Sequence, residues 1–325
     1  MPQSGKARKS GKSAVGAEKQ PRKSPLRAVR RLSAGRVHHC SPSWSADGEQ
    51  LIFQTGEGPE SAWVLADRRG RVARVLPGPA HGGAAVSTVG AVTFGRPPGE
   101  IWYSPGGAVP ATRLLGGDGR FYSEPAWSPD GSRLVFRVAD GEHAPGRLWL
   151  LELYTGMRRA LPSLPGRSDG HPAFAPCGDE LVLFFEGVQS GEAGVYRLSL
   201  DGGDGMLLRV CAGRWPAALG PDRVVVARPE AERLGSRLWL IDLSQRLTDG
   251  ISPNWEVPLN AGAAEEPAAA LRSHKPVLAY TVFRDGDSDA PGHREIVAAR
   301  LGKSRPPVDP VAHGEPVAAP PGVSA

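Results

Sequence analysis

The sequence predicts an all-β chain, a six-bladed β-propeller of four-stranded antiparallel blades whose ring is closed by a strand from the N-terminal side. Three observations carry that expectation. Short apolar runs alternate with turn residues, and the 42 glycines and 32 prolines among 325 residues fall mainly between those runs. A proline recurs at the start of comparable stretches, at Pro42, Pro125, Pro172, Pro216 and Pro267. An aromatic or apolar marker recurs independently inside a β-like run at Trp63, Trp102, Trp149, Tyr196, Trp239 and Ile296, with spacings of 39, 47, 47, 43 and 57. Four short strands repeating every ~40–50 residues describe propeller blades, each too small to bury its own faces until neighbours stack on it.

The third unit shows the grammar of a blade. PAW begins a short strand, SPDG turns the chain, and RLVFRV is a second strand. RLWLLEL is a third, YTGM turns again, and RRAL is a fourth. Proline early in a turn presets φ, and Asp-Gly supplies the permissive backbone of a tight hairpin. The β-branched and aromatic residues of the runs suit a pleated surface. The phrase weakens to SPSWSADGEQLIF at 41–53 and HPAFAPCGDELVLF at 171–184, erodes in units five and six, and survives in unit two only by position, around AAVSTVGAVTF.

PAWSPDGSRLVF followed by LWLLELYTG resembles the TolB-like, WD-like β-propeller repeat, over roughly residues 26–301. The resemblance implies six blades, the number obtained above from the spacing. It also implies a protein that docks other proteins or peptides at a face or channel.

Ring closure follows from the ends of the repeat region. After REIVAARL the chain enters a proline-rich stretch that cannot sit inside a sheet, so blade six lacks an outer strand of its own. Upstream, LRAVRRL resembles the fourth strands TGMRRAL and ATRLL. Leu26 to Leu32 is therefore expected beside Ile296 and Val297. The organisation reads as a disordered basic tail over 1–25, the propeller over 26–301, and a proline-rich disordered tail over 302–325.

The net charge of +5 is uneven. Met1 to Arg31 holds ten Lys or Arg against Glu18, a balance of +9, and the remainder carries −4. The basic segment has almost no large apolar residue to offset the entropy of ordering. It could contact nucleic acid or an anionic surface, or serve as a solubilising spacer. No run of 18 apolar residues and no signal-type apolar segment occurs, which makes the cytoplasm the expected compartment. Cys40, Cys177 and Cys211 show neither disulfide nor zinc spacing.

Two strings imitate catalytic motifs without their context. GRSDG, around Ser168, fits G-x-S-x-G but links two blades, whereas a nucleophile elbow needs a strand before it and a helix after it. GKARKSGKS has one residue too many for a phosphate loop and no preceding strand. No catalytic residue, metal ligand or cofactor is assigned from the sequence.

The candidate binding residues come from position. In a propeller of this order, the loops joining an outer strand to the next inner strand gather at one mouth of the channel. His38, His39, Ser41, His81, Glu124, Asp169, His171, Trp215, Glu265 and Glu266 are expected there, with adjacent His38 and His39 pointing apart. Such a ring of His and carboxylate groups is of a type that can bind metal or polarise a substrate, and equally of a type that forms a solvated partner surface. The other tryptophans occupy equivalent strand positions and read as packing between blades. Trp215 stands just before the repeat proline, where other blades carry Ser, Glu or His, and is the candidate aromatic anchor. The expected function is that of a monomeric, non-enzymatic scaffold docking a protein or peptide at the mouth. The alternatives are a hydrolase or lyase using the polar mouth, and a recruiter whose basic tail binds an anionic partner.

Overall fold

A computed structural model describes residues 26–301, apart from 34–36, 77, 107–108, 178–179, 202–206, 230–235, 250–253, 260–262 and 285–292. The expectations for the two tails, including the phosphate-loop-like string, lie outside the described residues. Six sheets of four antiparallel strands form a ring, and five of them are built from strands consecutive in sequence. The sixth takes its outer strand, Leu26–Arg31, from the opposite end of the chain, beside His293–Leu301. In that pair Arg31 is opposite Val297 and Arg30 opposite Ala298, and the Leu32 N–H donates to the Ile296 carbonyl at 2.9 Å. The closure read from the sequence is the closure of the fold. Among the described residues the one α-helix is short, Ser244–Asp249, and interrupts blade five.

The core lies between blades, as the stacking argument requires. Leu51, Phe53, Val64 and Ala66 of blade one pack on Ala270, Ala279 and Ile296 of blade six. Leu148, Leu150 and Val135 of blade three pack on Leu183, Phe185 and Leu198 of blade four. Trp63 is fully buried at the seam of blades one and two, where its indole N–H donates to the Gly95 carbonyl at 3.1 Å. The repeated Ser-x-Asp-Gly hairpin is held by its own side chains. Ser45 donates to Asp47 and Ser128 to Asp130, each at 2.5 Å, while the N–H groups of Glu49 and Ser132 return to those carboxylates at 3.1 Å.

The repeat prolines do not begin their strands, as the sequence suggests. Pro125 is the fifth residue of the inner strand Phe121–Trp127, and Pro172 the fifth of Ser168–Phe174. Each sits at a β-bulge, because the register slips between Cys40 and Ser43, Ser123 and Ala126, Gly170 and Ala173, Arg214 and Ala217, and Glu265 and Ala268. A bulge frees one residue from the ladder, which is where a residue without an N–H is tolerated inside a sheet.

Candidate functional site

The bulge fixes the geometry of the channel mouth. The residue before each repeat proline adopts a left-handed backbone, with φ of 52° at Ser41, 54° at Glu124, 49° at His171, 49° at Trp215 and 47° at Glu266. Non-glycine residues in this region are uncommon and strained, each by roughly 1–3 kcal/mol, unless the surroundings hold them. In blade two, which has no repeat proline, Gly83 occupies the equivalent place with φ of 88°. Its Cβ would press on the Glu124 backbone of the next blade, so glycine suits the site twice over.

The strained residues are held from the neighbouring blade. Turned out of its own ladder, the Ser41 N–H donates to Glu266 at 2.7 Å, the His171 N–H to Glu124 at 2.6 Å and the Trp215 N–H to Glu186 at 3.1 Å. The Glu124 N–H itself donates to the Gly82 carbonyl. Glu266 also accepts from the Thr281 hydroxyl at 2.9 Å. Two candidate binding carboxylates, Glu124 and Glu266, are therefore seam ties. Removing the Glu124 carboxylate leaves a backbone donor without its acceptor, so Glu124→Ala is expected to lose about 1–3 kcal/mol of stability. Glu124→Gln, which keeps an acceptor oxygen, is expected to lose less; urea melts of the two variants check the order.

These ties leave a channel of about 370 Å³, walled by the five repeat prolines and by Ser43, Trp44, Ala126, Trp127 and Ala217. Ser41, Gly83, Glu124, His171, Trp215 and Glu266 ring it in blade order. His171 is exposed and its ring stands edge-on to Trp215, at 6.3 Å between centroids and 77° between planes. Trp215 is half-buried, leaning on the core between blades five and six. A second cavity opens beside the mouth at blades two to four, lined by His81, Ser123, Arg137, His143, Asp169 and Glu186, and shares Glu124 and His171 with the channel.

Most of the candidate residues lie on inner strands and not in the connecting loops where the sequence places them. His39, Ser41, Glu124, Asp169, His171, Trp215, Glu265 and Glu266 are all within strands, and only His38 and His81 are in loops. The reason is the bulge, which lets the inner strand run two to four residues past the proline towards the mouth. His39 is buried with its ring edge-on to Phe53, while His38 reaches Glu57 at 3.2 Å, so the adjacent histidines do diverge. Buried His39 is no contact surface. Asp169 is also buried, bonded by the Arg167 guanidinium. Glu265 lies 3.7 Å from Arg294, and His81 lies 3.6 Å from Glu142.

The chemistry of the remaining groups is restrained by burial. Ser168 is in a strand, opposite Val188, and its hydroxyl accepts from the Gly146 N–H at 3.0 Å, so no strained elbow raises it. Burial and then the Glu266 charge push the Cys40 thiol up to about 11, and burial raises Cys177 and Cys211 as well, which keeps all three thiols protonated near neutrality. Among the described residues no three His, Cys, Asp or Glu side chains are grouped to hold a metal ion, and no helix is long and apolar enough to cross a membrane.

Sequence reasoning missed one ring. Gln54, Arg137, Glu186 and Thr281 stand at equivalent places in second strands, each opposite the residue two before the bulge proline or its neighbour in register: Cys40, Ser123, Gly170 and Glu265. The signal was available as a polar residue directly after the aromatic in LIFQ, LVFR, LFFE and LAYT. Gly95 fills the corresponding place in VTFG, where a Cβ would overlap the His81 carbonyl oxygen.

No family model matches the chain. Solved structures do. A putative TolB from Agrobacterium tumefaciens is 17% identical with a TM-score of 0.55, covering 71% of this chain and 83% of that one. TolB from Acinetobacter baumannii is 18% identical with a TM-score of 0.56, over 73% of this chain and 58% of that one. A gluconolactonase from Xanthomonas campestris is 13% identical, again at 0.56, over 84% and 89%. Structures of such different activity share the architecture, so the likeness concerns fold. In fold, the chain is a six-bladed propeller of the kind found in TolB.

Proposed function

We propose that this propeller is a binding protein that docks a protein or peptide segment at its channel mouth. One observation carries the reading. Six equivalent positions are given the same outward-turned backbone, yet they present Ser, Gly, Glu, His, Trp and Glu, and the two glutamates are committed to holding the seams. What remains for a partner is a paired aromatic surface, His171 with Trp215, across the ring from the side-chain-free Gly83. Half-buried aromatic residues beside a pocket are the usual anchors of interfaces. The resemblance of the repeat to TolB-like docking propellers supports the same reading, with the propeller acting as a monomer.

Selection of displayed peptides against the full chain tests it. Peptides enriched on the native protein are expected to bind Trp215→Ala at least about 30-fold more weakly, the effect of losing a hot spot of ~2 kcal/mol. Enrichment only of peptides indifferent to Trp215→Ala and His171→Ala, or no enrichment at all, counts against the reading.

A further inference from the structure

A second surface lies away from the mouth, on the outer rim where the ring is closed. The closing strand Leu26–Arg31 has its leucine buried and the other five residues exposed, including Arg27, Arg30 and Arg31. In its register Arg27 is directly opposite Arg300 of the neighbouring strand, which is also exposed. Like charges placed opposite one another on adjacent strands repel, so this pair works against the closure it belongs to.

Blade one brings more positive charge to the same place. The Arg30 guanidinium donates to the Arg68 carbonyl, and the turn Asp67–Arg71 is packed so closely on the strand that a Cβ at Gly70 would overlap the Leu32 carbonyl oxygen. Arg68 and exposed Arg69 therefore stand beside the closing strand. Carboxylates neutralise part of this row and no more. Glu295 meets Arg31 at 3.0 Å, Glu49 meets Arg68 at 3.0 Å, and Asp67 is taken by Arg71 at 2.7 Å. Arg27, Arg30, Arg69 and Arg300 have no carboxylate partner among the described residues. Burial, followed by the charges of Arg68, Arg300 and Arg69, holds the Arg30 pKa down.

We infer that this rim is a nucleic-acid-binding surface, on which the row Arg27, Arg30, Arg69 and Arg300 tracks the phosphate backbone. Four guanidinium groups without a carboxylate ion pair match phosphate, which Arg27, Arg69 and Arg300 can each grip with two parallel hydrogen bonds, Arg30 also holding the Arg68 carbonyl. The row runs along two adjacent strands and one turn, the shape of a chain of phosphates and not of a sheet of headgroups. Its exposed apolar residues are valines, such as Val29 and Val72, without the aromatic side chains that enter lipid. The surface is independent of the channel mouth and does not rest on the docking reading.

Anisotropy titrations of the full chain with a labelled, mixed-sequence oligonucleotide, single-stranded and duplex, across roughly 50–200 mM salt test the inference. Native protein is expected to bind with affinity falling steeply as salt rises. The variant Arg27→Gln/Arg30→Gln/Arg69→Gln/Arg300→Gln is expected to flatten the single-strand slope of log K against log salt by about 3, at ~0.7 per phosphate contact. Arg158→Gln/Arg159→Gln, on the equally exposed outer strand of blade three, is the control and is expected to leave the slope within about 1 of native. Circular dichroism confirms that the four-site variant is folded, and Arg69→Gln and Arg300→Gln alone give smaller shifts in the same direction. The inference is overturned by any of three results. They are absence of oligonucleotide binding at the lowest salt, equal weakening by rim and control variants, and binding that the rim variant leaves unchanged. Rim-dependent binding to phosphatidylserine vesicles without rim-dependent oligonucleotide binding overturns it too, and reassigns the surface to a membrane.

Discussion

Arg167→Met is expected to destabilise the propeller by about 3–5 kcal/mol at neutral pH, the cost of stranding one charge of a buried pair. The Arg167 side chain is wholly buried and that of Asp169 nearly so, with the guanidinium Nε donating to the carboxylate. The guanidinium lies 4.1 Å from the centre of the Tyr196 ring and 5.3 Å from that of Phe185, and those rings stack on each other. Methionine fills the space but supplies no charge. Burial already raises the Asp169 carboxyl against the downward pull of Arg167, and removing the arginine raises it further. The sign of the pH dependence follows. A carboxyl whose folded pKa is above its unfolded one binds its proton more tightly when folded, so the deficit of Arg167→Met shrinks as pH falls through the raised pKa. The native protein recovers less and at lower pH, because Arg167 holds its carboxyl below that of the variant. Arg167→Met/Asp169→Leu removes both charges and is expected to be more stable than Arg167→Met at neutral pH. Thermal melts of the three proteins at two pH values decide the matter: a neutral-pH melt within a degree or two of native, or a deficit independent of pH, contradicts the account.

The blades were legible because their determinants are local. Asp-Gly turns, apolar runs and the recurring proline act within one unit, and so does a leucine at the end of an outer strand or just past it: Leu76, Leu115, Leu161 and Leu259 are all buried at that place. Leu32 belongs to the same series, which is why LRAVRRL could be recognised as an outer strand displaced to the other end of the chain. In blade four Cys211 is buried at the corresponding position, and nothing in its sequence run marks it as a leucine substitute.

The mouth was only half legible, because its geometry depends on an interaction between blades. Proline at a strand's start and proline at a bulge read alike in one dimension. The difference is made by Glu124, Glu186 and Glu266, whose carboxylates reach the N–H of a residue in the next blade. Glu124 and Glu266 were identified from their place beside the proline, but their role as ties was not. Glu186 was missed, since a charge in the run LVLFFEGV looks like an interruption of a strand and not part of a mouth. The arginine row on the rim required closure itself, because Arg27 and Arg69 are far apart in sequence from Arg300.

Closure also sets the second large effect. Leu32→Asp is expected to open the ring, with a stability loss of at least about 3 kcal/mol and a less cooperative melt. Leu32 is buried against Trp44, Leu51 and Ile296, so an aspartate there places an unpaired charge in the core between blades one and six. The same seam is latched by the Ile296 N–H donating to the Ser33 hydroxyl at 3.0 Å, a contact between residues 263 apart in sequence. In the other blades all four strands are consecutive, and damage to an outer strand leaves the chain path around the ring intact. Only here does the outer strand hold the two ends together. Leu161→Asp, at the equivalent site of blade three, is therefore the proper comparison: it carries the same local burial penalty without touching closure. Hydrogen exchange separates the two. Leu32→Asp is expected to lower protection across both blade six and blade one, because each loses its neighbour, whereas Leu161→Asp is expected to lower it mainly in blades three and four. Equal and local losses in the two variants would show that the ring survives without its latch.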